Sequence, residues 1–207
     1  MTEDEARAWV RERFGVSRET LLARFGDILV EGAEHQNLIA RSTLPALWGR
    51  HLADSAQLVL LATGAREGVW LDVGSGAGLP GIVVAILTER PMVLVEPRAK
   101  RVAFLRECAE TLGLGDRVRV VQSKVEAFRP DSPVAVVSAR AVAELSVLLL
   151  STVSCTDSST IWVLPKGRSA HSEVDAARAK WQGRFHVEPS ITQPDSGIVV
   201  ATQIGAR

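Results

Sequence analysis

The run Asp72-Val73-Gly74-Ser75-Gly76-Ala77-Gly78-Leu79-Pro80-Gly81 is the part of this chain best suited to chemistry on a small charged ligand. Glycines at 74, 76 and 78 permit a sharp turn and bring backbone amides against a ligand, while Pro80 suits a first helical turn where no amide is missed. A helix opening after the loop points its N-terminus at the same place. The letters also fit G-x-G-x-x-G at Gly76, Gly78 and Gly81, so spacing alone admits a dinucleotide. Asp72, just upstream, shifts the reading toward S-adenosylmethionine, which has no pyrophosphate but carries an ammonium and a sulfonium that a carboxylate attracts.

Two later stretches extend this reading. Glu96 ends the next apolar run, where a carboxylate can accept both hydroxyls of a ribose. Gln122-Ser123-Lys124-Val125-Glu126-Ala127-Phe128 follows the third run; backbone at Val125 and Glu126 could read an adenine edge, although a plain connecting loop explains the letters equally well. Ser138-Ala139-Arg140-Ala141 stands where amino-group methyltransferases commonly carry Asn/Asp-Pro-Pro-Tyr/Phe. Arg140 could neutralise a ligand carboxylate, grip a phosphate, or form a structural ion pair.

Other constellations exclude chemistries. His51, Asp54 and Ser55 share one helix face, but a nucleophile triad draws its members from separate converging elements, so a hydrolase is not indicated. These three are expected to tie the N-terminal helices to the rim of the site or to touch a nucleic-acid substrate. Cys108 and Cys155 lie away from the fourth apolar run, where a pyrimidine-C5 methyltransferase would need its nucleophile. With no Cys-x-x-Cys and four scattered histidines, neither a disulfide framework nor a metal site is expected.

Formal net charge is zero, so any nucleic-acid contact must come from local patches rather than a basic surface. Lys100, Arg101, Lys166 and Arg168, with Arg106, are the candidates for contact with a nucleic-acid backbone. No apolar run approaches the roughly 18 residues of a membrane span, and the N-terminus is acidic rather than basic. A cytoplasmic monomer without membrane contact is expected.

The elements that must position these residues follow from periodicity. Leu21, Leu22, Phe25, Ile28 and Leu29 mark a helix face with Ser17 as its N-cap, and Pro45 to Ala62 reads as helical too. From Val69 the pattern becomes short β-branched runs alternating with helical stretches, which predicts a parallel sheet of βαβ units. Strands are expected at Val69 to Val73, Met92 to Glu96, Arg117 to Val121, Val134 to Ala139 and Thr160 to Leu164. Helices are expected at Leu79 to Glu89, Ala99 to Leu112, Ala141 to Val153 and Ala170 to Gln182. Phe185 to Ile191 and Gly197 to Ile204, joined through a Pro-Asp-Ser turn, predict a closing antiparallel hairpin. The fold class is thus α/β, a Rossmann-like class I methyltransferase sheet over 67–207 with a helical N-terminal extension over 1–66.

The chain resembles the RsmG (GidB) family of bacterial 16S rRNA guanine-N7 methyltransferases. The resemblance runs from about Asn37 to Arg168: Asn37-Leu38-Ile39, Arg50-His51-Leu52-Ala53-Asp54-Ser55, the Asp72 to Gly81 loop with its Gly-Leu-Pro-Gly, and Lys100-Arg101 with Phe104-Leu105. It continues in Val121-Gln122-Ser123, Val125-Glu126, Arg140-Ala141 and Lys166-Gly167. It implies S-adenosylmethionine contacts at Gly74, Leu79, Val125, Glu126 and Arg140, added to those read above at Asp72, Gly76, Gly78 and Glu96. It implies 16S rRNA or the small ribosomal subunit as partner. It departs at Ser196-Gly197, where the family often carries a basic residue. Guanine N7 carries a lone pair and no proton, so its methylation needs positioning rather than a general base, and no catalytic side chain is assigned beyond support from Arg140. The alternatives are an NAD-dependent oxidoreductase and a non-catalytic nucleotide-binding module of ribosome assembly.

Overall fold

Short Val- and Leu-rich runs bounded by glycine, proline and charge become the strands of a single sheet, and the stretches with helical spacing cover its two faces. The computed structural model describes residues 1–207. The N-terminal third holds α1 (Glu3–Phe14), α2 (Val16–His35), a 3-10 segment Arg41–Ala46, a π-helical turn Trp48–Leu52 and α3 (Ala53–Leu61). There follow β1 (Val69–Val73), α4 (Gly81–Leu87), β2 (Met92–Glu96), α5 (Ala99–Thr111), β3 (Val118–Gln122) and β4 (Val134–Ala139). Then come α6 (Leu145–Thr152), β5 (Ile161–Gly167), α7 (Ala170–Ala177), β6 (Trp181–Pro189) and β7 (Gly197–Ala206).

The seven strands lie in the order β3-β2-β1-β4-β5-β7-β6, all parallel except β7, which is antiparallel to both neighbours. The chain builds outward from β1 to β3, then returns to place β4 on the other side of β1. At such a switch the connecting loops diverge and leave a crevice beyond the strands' C-terminal ends.

Alternation along the strands sorts the core into two layers. Trp70, Leu94, Val136 and Val163 face a cluster of 33 buried residues that also includes Leu22, Phe25 and Leu29 of α2 and Ile82 and Ile86 of α4. Leu71, Val95, Val137 and Trp162 face a second cluster of 22 with α6 and α7. The N-terminal helices and the sheet therefore share one continuous core. Each fully buried large side chain, such as Phe25, contributes about 1.5–3 kcal/mol to holding those helices in place. No helix is long and apolar enough to cross a membrane.

Some boundaries differ from the sequence reading. Ser17 is inside α2; Gly15, at φ 86°, separates α1 from α2 in a conformation that suits glycine. α1 carries its own capping box, Thr2 with Glu5. α6 starts at Leu145 rather than Ala141, because Ala141 takes φ 56° and breaks the helical path. β6 begins at Trp181 rather than Phe185. Trp181 pairs with Ala206, and a register shift after Gln182 hides the strand's period; most of this edge strand is solvent-facing, so its apolar signal is weak.

Candidate active site

Strand parity decides what each residue of the glycine loop does. Trp70 and Asp72 of β1 point to the same face, and Ser138 of β4 lies beside Asp72 in register. The Trp70 indole donates to Ser138 Oγ at 2.9 Å, and that hydroxyl donates to Asp72 Oδ1 at 2.6 Å. Asp72 is fully buried and its Oδ2 has no partner. Burial pushes its carboxyl up to about 6, against the pull of the hydrogen bond from Ser138. A Cβ on Gly81 would lie 2.6 Å from Oδ2 and 2.5 Å from Leu94, so glycine is required there for α4 to approach β1.

Above this buried layer the loop shapes a cavity of about 580 Å³ at the switch between β1 and β4. Gly74, at φ 65°, donates its amide to Val95 O at 2.8 Å, and a Cβ there would meet Val142 at 2.7 Å. Glu96, at the end of β2, is buried on the cavity wall. Its two oxygens accept from the amides of Gly76, at 3.0 Å, and Arg98, at 2.9 Å. Each oxygen retains a lone pair for a further donor. Val125 and Glu126, in the 3-10 turn Val125–Ala127, also line the cavity. Arg101 reaches over from α5, donates to Asn37 O, and leaves Nη1 buried without a protein partner.

Arg140 closes the cavity at the end of β4. It is paired with Asp54 at 3.5 Å and donates to Arg50 O at 3.4 Å and to His51 Nδ1 at 3.3 Å. Thr43 Oγ1 gives its proton to Ala40 O, so His51 Nε2 must be the donor in the 2.7 Å contact with Thr43. His51 is therefore a neutral ring with both nitrogens engaged. Burial, then the charges of Arg140 and Arg50, holds its pKa down to about 4.

Glu3 of α1 accepts from the amides of Trp48 and Gly49, both at 2.8 Å, and so fixes the π-helical turn that carries Arg50 and His51. Asp54 also accepts from Thr192 at 2.8 Å and Gln57 at 3.0 Å, and Gln57 accepts from the Ile191 amide at 3.0 Å. The β6–β7 connection is thereby tied to α3 and, through Asp54, to Arg140.

A second cavity, of about 680 Å³, lies on the other side of Arg140 over the ends of β4 and β5. The two cavities share Arg140, Ala141, Val142 and Ala143 as a common wall.

The family model described as rRNA small subunit methyltransferase G (GidB) matches residues 18–196. The chain belongs to this family. It is 47% identical to the ribosomal RNA small subunit methyltransferase G of Rhizorhabdus wittichii, over all of this chain and 95% of that protein. It is 48% identical to the namesake of Sphingopyxis alaskensis, over 97% of this chain and 86% of that protein. Among solved structures, a glycopeptide N-methyltransferase complexed with S-adenosylmethionine is 14% identical with a TM-score of 0.60, over 73% of this chain and 87% of that one. A Geobacter sulfurreducens methyltransferase is 13% identical with a TM-score of 0.58, over 88% of each chain. These structural likenesses share the class I methyltransferase fold.

Membership in this methyltransferase family sets aside the NAD-dependent oxidoreductase and the non-catalytic module. The match also extends beyond the Asn37 to Arg168 stretch, through α2 and the β6–β7 connection. The structure gathers Gly74, Gly76, Leu79, Glu96, Val125, Glu126 and Arg140 around the first cavity, with Arg101. Asp72 is not on that wall: strand parity turns it under α4, where it braces the loop. Gly78 is likewise turned inward, its amide donating to Ser75 O at 2.7 Å in the turn.

The basic residues separate in the same way. Lys166 is only 7% exposed, held by Glu173 at 3.0 Å and the Ala143 carbonyl, which commits it to an internal ion pair rather than to RNA. Arg168 is 84% exposed beside Asp195, and Lys100 is exposed on α5 outside both cavities. Leu38 and Val147 also line the first cavity, and Arg50 and Gln193 the second; Leu38 and Arg50 stand in stretches shared with the family, whereas Val147 and Gln193 carry no ligand signal and reach the rim only through tertiary packing.

Proposed function

We propose that this chain transfers the methyl group of S-adenosylmethionine to N7 of a guanine in the decoding region of 16S rRNA. Its relatives are named for methylation of small-subunit ribosomal RNA, and the first cavity fits the methyl donor. Glu96 has the acceptor capacity for ribose hydroxyls, the Val125–Glu126 turn on the cavity lining supports an adenine contact through its backbone, and Arg140 supplies a cation for a carboxylate. The tight approach at Gly74 leaves the loop backbone, rather than a side chain, against the ligand. Bound there, S-adenosylmethionine supplies an electrophilic methyl on a sulfonium.

The observation that carries the reading is the shared wall. Between the cavities stand Arg140, Ala141, Val142 and Ala143, which offer one cation and three apolar side chains; the carboxylates of the second cavity, Asp54, Glu144 and Glu173, lie beyond this wall. His51, the nearest imidazole, is neutral with both nitrogens bonded. Guanine N7 carries no proton to lose, so a wall that only aligns it with the methyl group is sufficient for its methylation. Arg140, held by Asp54 and His51, then acts as a positioning cation. Comparison of 16S rRNA from cells with and without the gene, by chemical cleavage at N7-methylguanine, tests the assignment. Loss of one cleavage site is the expected result; an unchanged pattern rejects it.

A further inference from the structure

We propose that Glu3 is a positioning residue of the methyl-transfer site: from α1 it caps the π-helical turn Trp48–Leu52 and so fixes Arg50 and His51 against Arg140. The inference rests on the reading of Arg140 as the positioning cation and adds what holds it. The Arg140 guanidinium takes its hydrogen-bond and ion-pair partners from one helical segment: Arg50 O, His51 Nδ1 and the Asp54 carboxylate. That segment begins in the π turn and runs directly into α3. The Ala53 amide donates to Trp48 O, five residues back, which is the bond of a helix carrying an inserted residue. Losing the insertion would rotate the residues on one side of it by about 100° relative to those on the other.

Two anchors keep the insertion in place. Downstream, Asp54 accepts from Thr192, and Gln57 is bonded to Ser190 and the Ile191 amide. Upstream, the opening amides of a helix lack partners within it, and those of Trp48 and Gly49 donate to the two oxygens of Glu3, both at 2.8 Å. A carboxylate at that end also complements the helix dipole. Glu3 can act across 45 residues of sequence because α1 is a firm support. Ala6 and Val10 are fully buried in the shared core, and Arg7 and Arg11 converge on Glu19 of α2, itself 1% exposed. Arg7 also lies over the Trp48 ring, 5.3 Å from its centroid. α1 precedes the 18–196 stretch of the family model, so this brace of the site comes from outside it.

Glu3→Ala and Glu3→Gln, compared with Glu5→Ala, test the proposal. Glu5 forms the capping box of α1 with Thr2, so its loss weakens the same helix without touching the π turn. One readout is the titration of the His51 ring by NMR, with His51→Gln to assign it. The ring faces Arg50 of its own turn and Arg140, which is paired with Asp54; burial and the two cations hold it down to about 4. A slipped turn frees the ring, so its value moves toward the ordinary 6.5 in Glu3→Ala and part of the way in Glu3→Gln, which keeps one acceptor oxygen. In Glu5→Ala it stays at the wild-type value. The other readout is methyl transfer to small ribosomal subunits at saturating cofactor, expected to fall about tenfold or more in Glu3→Ala and to hold in Glu5→Ala, because small misplacements of an aligned site are costly. Should Glu3→Ala not fold, Glu3→Gln decides.

Glu3 variants that titrate and turn over as wild type does, or that match Glu5→Ala in both readouts, overturn the inference. A wild-type protein that transfers no methyl group rejects the parent reading, while the His51 titration still decides whether Glu3 acts on the site.

Discussion

Replacing Asp72 by asparagine removes a fully buried ionisable group while keeping its shape beneath α4. Burial raises the folded-state carboxyl from 3.8 to about 6. A raised acid pKa means that folding favours the protonated form, so the stability it contributes is intact below the unfolded value and is lost as pH rises through the folded one. At about 1.36 kcal/mol for each tenfold change in proton affinity, ionised Asp72 costs the fold about 3 kcal/mol at pH 8 and about half of that at pH 5. Other effects of the substitution, such as the exchange of an oxygen for an amide nitrogen in the carboxyl's place, do not vary with pH across this range. Urea denaturation of both proteins at the two pH values isolates the titration. Relative to Asp72→Asn, wild type should lose about 1.4 kcal/mol between pH 5 and pH 8. A stability gap that is the same at both values would refute the claim that burial opposes the ionisation of Asp72.

His51 titrates with the opposite sign. Its folded pKa is held down to about 4, so folding excludes the proton and stability falls as pH drops below the ordinary histidine value of 6.5. His51→Gln should abolish an acid-side loss of about 2 kcal/mol between pH 8 and pH 5, read in the same denaturation series; an unchanged acid limb would show that the ring is not buried neutral. Glu96→Ala should weaken S-adenosylhomocysteine binding by about 1.5–3 kcal/mol in a calorimetric titration, the worth of charge-assisted hydrogen bonds. Unaltered affinity would remove Glu96 from the cofactor site.

The glycine loop, Glu96, the Val125–Glu126 turn and Arg140 are legible in sequence because each sits at a strand end, and strand ends in a parallel sheet converge at the switch. What they do there depends on facts that spacing does not carry. Asp72 reads as a ligand contact from its place before the glycines, yet its parity with Trp70 and its neighbour Ser138 turn it into the core. Lys166 reads as a free rim cation until α7 brings Glu173 against it. The shared helix face of His51, Asp54 and Ser55 leaves bracing of the rim and contact with RNA equally open; the structure makes His51 and Asp54 braces through Thr43, Thr192 and Arg140, up to 138 residues away in sequence, and leaves the Ser55 hydroxyl buried without a partner. β6 is only half visible because an exposed edge strand with a register shift shows little alternation.

The most direct test of the account is methyl transfer by the purified protein from S-adenosylmethionine labelled on its methyl group to unmodified small ribosomal subunits, followed by nuclease digestion and mass spectrometry. The account predicts label in 16S rRNA as N7-methylguanine at a single site. No transfer, or label on an exocyclic amine or a ribose, would contradict it.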